Sequence, residues 1–271
     1  MIPITRVAIV GCGWLGTALA QQCLRQGVAT VKGSSRQSGR LLALRQQGIE
    51  AHELHLPALN PGALRAFLEA DVCVFSLSPR TPHYLDALQQ VCDLLPKTSR
   101  LILLSATSVY PDNGAEVDED TPIHATHTGN PLQWQAEKLV HSQVDAALVV
   151  RLGGLMGYDR FLLKYFMNKD AITGGHTPVN HVHRDDAVSI LVHLMSAPTA
   201  HGTFNAVAPL HPPKRAILEA QARQLGITLP PWAAPHKQAH KKVVPKRLLQ
   251  QIGYQFIYPD PVLFPFVYDK K

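Results

Sequence analysis

Short apolar runs recur along the first half of the chain, at residues 7–10, 28–31, 71–77, 100–105 and 147–152, and residues 49–54 read as a further strand. Between them lie segments whose apolar positions repeat at helical spacing. Leu15, Ala18, Leu19, Cys23 and Leu24 form one such face. Residues 38–47 form a second helix closed by Gly48. Residues 60–68 form a third, with Asn60 as N-cap and Pro61 in its first turn, and residues 82–95 and 133–143 two more. Strands that are apolar throughout are buried on both faces. Alternating with helices, they predict a parallel, doubly wound α/β sheet. The second half is less regular. A strand is expected at 178–182, a helix at 186–195 capped by Asp185, a strand at 203–207, and a helix at 213–225 ended by Gly226. A proline-rich loop at 228–236 follows.

The first strand runs directly into Gly11-Cys12-Gly13-Trp14-Leu15-Gly16 and then into a helix. A G-x-G-x-x-G motif in that context is a dinucleotide-binding turn. Gly11 makes the turn, and Gly13 lets the main chain approach a pyrophosphate. Gly16 lets helix and strand pack closely, and the helix N-terminus favours the negative charge. The second strand should end in an acid if the ribose hydroxyls are free. Here it is followed by Lys32-Gly33-Ser34-Ser35-Arg36, with Arg40 a turn later. Two hydroxyls and a guanidinium suit a 2′-phosphate, so NADP is expected in preference to NAD.

Composition narrows the class. A chain of 271 residues with 46% hydrophobic content can bury a sizeable core. The sequence has no apolar run long enough to span a membrane and no leader peptide pattern, so a cytoplasmic protein with no membrane partner is expected. The four cysteines, Cys12, Cys23, Cys73 and Cys92, lack metal-ligand spacing and read as core thiols, with no metal site. A net charge of +6 raises the question of nucleic acid. The densest basic cluster, from His236-Lys237 to Lys246-Arg247, has no interleaved aromatic platform, so no nucleic-acid partner is expected. The acidic stretch 112–120 reads as a solvated loop or lid edge.

Several motifs in order resemble the extended and atypical short-chain dehydrogenase/reductases, which include the NAD-dependent epimerase/dehydratases. They are the glycine motif, Leu104-Ser105-Ala106-Thr107-Ser108-Val109-Tyr110, Val150-Arg151-Leu152-Gly153-Gly154-Leu155-Met156-Gly157, and Val179-Asn180-His181-Val182-His183-Arg184-Asp185-Asp186. Phe204-Asn205-Ala206-Val207-Ala208-Pro209 and Tyr258-Pro259-Asp260-Pro261 resemble its bacterial YeeZ-like subgroup. The resemblance implies a Rossmann-type NAD(P)-binding domain at 1–155, rejoined by about 184–208. It also implies a small C-terminal substrate-side lobe at 156–183 and 209–271. It further implies an oxidoreductase or epimerase/dehydratase acting on a polar, sugar-like or anionic small molecule, as a monomer or homodimer.

The family's proton relay uses a Ser or Thr, a Tyr, and a Lys four residues after that Tyr. This chain departs at each point. The Ser/Thr position falls on Ala106, flanked by Ser105 and Thr107. The Tyr-x-x-x-Lys pair is replaced by Trp134-Gln135-Ala136-Glu137-Lys138, or, in a second register, by Asn130 and Trp134. An indole N–H cannot act as a base. The catalytic candidates are therefore Ser105, Thr107, Tyr110, Lys138 and His183, with Asp186 beside them. Gly11, Gly13, Trp14, Leu15, Gly16, Ser34, Ser35, Arg36, Leu77, Ser78 and Ser105 are the cofactor candidates. Arg160, Lys164 and Asn180 are the substrate-binding candidates. The missing tyrosine leaves a second reading open: an NADP-binding sensor or scaffold that does no chemistry.

Overall fold

The computed structural model describes residues 4–58, 60–145, 147–197, 199–234 and 239–268. In chain order the elements begin with β1 (Arg6–Val10), α1 (Trp14–Arg25), β2 (Thr30–Ser35), α2 (Ser38–Gln46), β3 (Glu50–Glu53), α3 (Pro61–Leu68), β4 (Val72–Phe75), α4 (Tyr84–Leu94) and β5 (Arg100–Ala106). They continue with β6 (Glu116–Val117), α5 (Pro131–Gln143), β7 (Leu148–Leu152), β8 (Gly154–Met156), β9 (His181–His183), α6 (Arg184–Ser196), β10 (Gly202–Ala206), α7 (Lys214–Leu225) and β11 (Lys242–Val243). Seven of the described strands form one sheet in the order β10-β7-β5-β4-β1-β2-β3. The pairs β3–β2, β2–β1, β1–β4 and β4–β5 are parallel, the Rossmann-type arrangement expected.

The chain divides into two compact units. The first comprises Met1–Ala106, Asn130–Arg151 and Val188–Thr203. Its core follows the pleat of the sheet. Ala8, Val10, Cys73, Phe75, Leu101 and Leu103 face one side and are sealed by Leu64 and Phe67 of α3, Leu88 and Val91 of α4, and Ala136 and Val140 of α5. Ile9 faces the other side, against α1, where a Cβ on Gly16 would stand 3.3 Å from the Ile9 side chain and 2.9 Å from the Gly11 carbonyl. Asn60 caps α3 as read, accepting from the Gly62 and Ala63 amides. Arg100 closes the C-terminal end of α6 by donating to the carbonyls of Leu194, Ala197 and Ala200.

The second unit comprises Thr107–Gly129, Leu152–Ala187 and Phe204–Lys271. One apolar cluster packs Phe161, Leu163 and Ile172 on Ile217 and Leu218 of α7. A smaller one gathers Val109, Tyr110, Val117, Val207 and Val243. Two short parallel pairs, β8–β9 and β6–β11, belong to this unit.

Four readings of the sequence need correction. The second strand is not 28–31 but Thr30–Ser35, because Val28 is drawn into the end of α1 by a bond to Cys23 and Lys32–Ser35 pair with β3. Lys32 is thus a strand residue, and its ammonium closes the end of α3 on the carbonyls of Ala66 and Glu69. The strand expected at 178–182 is β9 at His181–His183, set by a partner, β8, that the pattern did not signal. Asp185 does not cap α6. The helix starts one residue earlier at Arg184, and the His183 Nδ1 accepts from the Asp185 amide. The acidic stretch is no free loop. It contains β6, and its carboxylates pair with the basic segment around β11: Glu116 with Lys242, Asp118 and Asp120 with Lys246, and Asp120 with Arg247. His236 and Lys237 of that basic cluster lie outside the described residues. No helix among the described residues is long and apolar enough to cross a membrane.

Candidate functional site

The glycine motif forms the turn that its spacing requires. Gly11 sits at φ +90°, and a Cβ there would stand 2.7 Å from the Leu77 side chain at the end of β4. The turn is fastened to the end of β2. The Gly11 amide donates to Ser34 Oγ at 2.9 Å and the Cys12 amide to the Ser34 carbonyl at 2.7 Å. Above Gly13 no heavy atom stands within 4 Å of where a Cβ would be. Helix α1 begins at once, with no side chain capping it and no acid in its first turn. A backbone kept bare at Gly13, at an uncapped helix N-terminus, is a cradle for a diphosphate.

This cradle opens into a cleft lined by Gly11, Gly13, Ser34, Ser35, Arg36, Arg40, Leu77 and Ser78. The cleft gathers most of the nominated cofactor residues. Arg36 and Arg40 are exposed and share one rim with Ser35. Trp14 starts α1, whereas the Leu15 side chain points into the core, leaving only its main chain on this side. Cys12 is buried against Gly33, and burial pushes its thiol up to about 12, so it is not a nucleophile.

The C-terminal end of β5 holds a group that the sequence reading missed. Glu137 of α5 and Arg151 of β7 are both buried, and Arg151 forks onto the carboxylate through Nε and Nη2, the latter at 2.7 Å. Ser105 Oγ donates to the same carboxylate. The signal was present: charges at Glu137 and Arg151 stand on faces otherwise occupied by Ala136, Val140 and Val149. Lys138, one position further round the helix, is exposed.

Thr107, Tyr110 and His183 lie in the second unit, where the Tyr110 hydroxyl is engaged while His183 Nε2 is buried with no hydrogen-bond partner among the described residues. Tyr110 is fully buried, with its hydroxyl 2.8 Å from the Asp118 carbonyl and 3.0 Å from Asn205 Oδ1. Thr107 is buried in a single 3-10 turn. His183 is buried in a box of Tyr158, Tyr258 and Phe264. Burial holds its imidazole below the usual range, partly offset by Asp185 and Asp186. The Asp186 carboxylate does not cap α6. It accepts from Tyr254 Oη and from the amides of Ile257 and Tyr258, and so fastens the C-terminal segment. Of the substrate-binding candidates, Asn180 spends its amide on the main chain of Lys241 and Val243. Lys164 is exposed and bonds the Asp159 carbonyl, while Arg160 lines a small cavity with His181 and Gln221. No cluster of metal-ligating residues occurs among the described residues.

No family model matches the chain. The chain is 32% identical to Protein YeeZ of Escherichia coli strain K12, over 96% of its own length and 98% of that protein. Among solved structures it is similar to the human epimerase family protein SDR39U1 with NADPH, with TM-score 0.69, 21% identity and coverage of 95% and 96%. It is similar also to the Bordetella bronchiseptica enzyme WbmG in complex with NAD, with TM-score 0.77, 16% identity and coverage of 97% and 94%. The two structures share the fold.

Proposed function

We propose that the cleft of the first unit, in a chain that belongs to the family of Protein YeeZ, binds a nicotinamide dinucleotide, NADP in preference to NAD. On this reading the protein is an NAD(P)-dependent oxidoreductase or epimerase/dehydratase acting on a polar small molecule. One observation carries the reading: the Gly11–Gly16 turn, locked to Ser34, opens on a rim that bears Ser35, Arg36 and Arg40 where an NAD site would place a carboxylate. The main chain at Gly11, Gly13 and the start of α1 would hold the diphosphate. Ser35, Arg36 and Arg40 would hold the 2′-phosphate, and Leu77 and Ser78 would flank the dinucleotide. When bound, the nicotinamide supplies hydride transfer. Ser105 is the hydroxyl at the end of β5 from which a substrate would be oriented, its rotamer fixed by Glu137.

Replacing Arg36 with Ala tests the cofactor assignment. Loss of a charge-assisted fork should weaken NADPH on the order of ten- to a hundred-fold and leave NADH nearly unchanged. Equal losses for both would remove Arg36 from the 2′-phosphate site.

A specific observation favours a second reading, an NADP-binding sensor without turnover. The Tyr110 hydroxyl is committed to structure, His183 is sealed from solvent, and Lys138 faces out. The two readings separate on whether bound NADPH is oxidised when aldehydes, ketones and keto-sugars are offered.

A further inference from the structure

Helix α7 starts with two cations, Lys214 and Arg215, in a place where the helix dipole disfavours them. Neither has a carboxylate within 4 Å among the described residues. Elsewhere in the same unit Lys241, Lys246 and Arg247 each have one. Arg215 makes no side-chain hydrogen bond among the described residues, and its Nε is shielded from solvent with no acceptor. A half-buried guanidinium without an anion is costly, and its retention calls for an explanation.

The position of Arg215 is built with care. Its guanidinium lies 4.4 Å from the centre of the Trp232 ring. Gly175 lies beneath both. A Cβ there would stand 2.8 Å from Trp232 and 3.3 Å from Arg215 Nε. Trp232 is fixed in turn by the bridge to Ile172, and the Arg215 amide donates to the Gly175 carbonyl at 2.8 Å. Stacking on an indole covers one face of a guanidinium and leaves its N–H edge for a planar acceptor. On the other side of the same loop, Lys214 Nζ bonds the Thr173 carbonyl at 3.1 Å and lies over Phe166. Burial lowers its basicity. Inward of Lys214 lies a neutral imidazole. His181 is pushed down to about 4 by burial and by Lys214, and its Nδ1 is buried without a partner. The first amides of α7 are spent on the carbonyls of Thr177, Gly175 and Pro213, so any ligand here is held by side chains.

We propose that Arg215, backed by Trp232 and assisted by Lys214, is an oxyanion-binding site of the second unit, taking the phosphate or carboxylate group of a small molecule. It differs from the dinucleotide cleft of the first unit and does not depend on it.

The test is titration of the full chain with inorganic phosphate and, separately, with succinate. Ionic strength is held constant with sodium chloride, and binding is read by calorimetry with tryptophan fluorescence alongside. Saturable binding of either anion is expected, about ten-fold weaker in Arg215→Met and several-fold weaker in Arg215→Lys, which keeps the charge but loses the fork. Binding of phosphate alone narrows the site to phosphoryl groups, and of succinate alone to carboxylates. The response should persist in Arg36→Ala, and NADPH affinity should be unchanged in Arg215→Met. Absence of saturable binding, or equal binding by wild type and both Arg215 variants, would overturn the site. So would a response lost in Arg36→Ala instead. Arg215→Lys keeps the test decisive if the methionine variant does not fold.

Discussion

At the scale of single residues, chemical type gave way to hydrogen-bonding context. Tyr110 and His183 carry groups suited to proton transfer, yet the Tyr110 hydroxyl and one ring nitrogen of His183 are spent on structure. The Tyr110 hydroxyl is held between Asp118 and Asn205, and the His183 Nδ1 serves the first turn of α6. Tyr110→Phe should therefore cost stability, about 1–2 kcal/mol in urea unfolding, because it leaves buried acceptors unpaired. It should leave NADPH affinity unchanged. A loss of cofactor affinity without a loss of stability would contradict this role. Gly11 was legible from the sequence, since the motif demands a positive φ. The use of Ser34 to fasten the turn was not, because hydroxyls suit phosphate and backbone alike.

At the scale of elements, the strands and helices of the first half were legible because their periodicity is clean and their caps are strong. Asn60 with Pro61 and Gly226 after α7 stand where read. The misses have one cause: short strands such as β8 and β6 are defined by their partners, and a partner leaves no local signal. The Glu137–Arg151 pair, with Ser105, is likewise a tertiary fact. Glu137→Gln should destabilise the fold by about 3–5 kcal/mol, because it removes the carboxylate charge that the buried Arg151 forks onto. Adding Arg151→Met should recover part of that loss. If the double variant were as unstable as the sum of the two singles, the two side chains would not be coupled. Thermal or urea unfolding reads both.

At the scale of the molecule, the net charge of +6 is unevenly compensated. Lys242, Lys246 and Arg247 are matched by the acidic stretch that reads, from sequence alone, as a solvated loop. Lys214 and Arg215 are not matched among the described residues, a difference that composition cannot show. Buried imidazoles add a pH dependence. Burial pushes His181 down from 6.5 to about 4, and His183 and His211 are also lowered, burial being the largest cause in each. Between those values the unfolded chain binds a proton that the fold refuses. The contribution of His181 is thus complete above pH 6.5 and falls through the window. It is lost below about 4, a change of about 3 kcal/mol. Urea midpoints should decline over that range, and less so in His181→Asn. A flat profile would contradict the burial of these rings.

The central claim is that the Gly11–Gly16 turn holds a nicotinamide dinucleotide. Fluorescence titration of the purified protein with NADPH and NADH, side by side, tests it most directly. The account predicts saturable binding that is tighter for NADPH. It also predicts loss of both in Gly11→Ala, where a side chain would meet Leu77 in a backbone conformation that it cannot adopt. No binding of either nucleotide by the folded wild-type protein would contradict it.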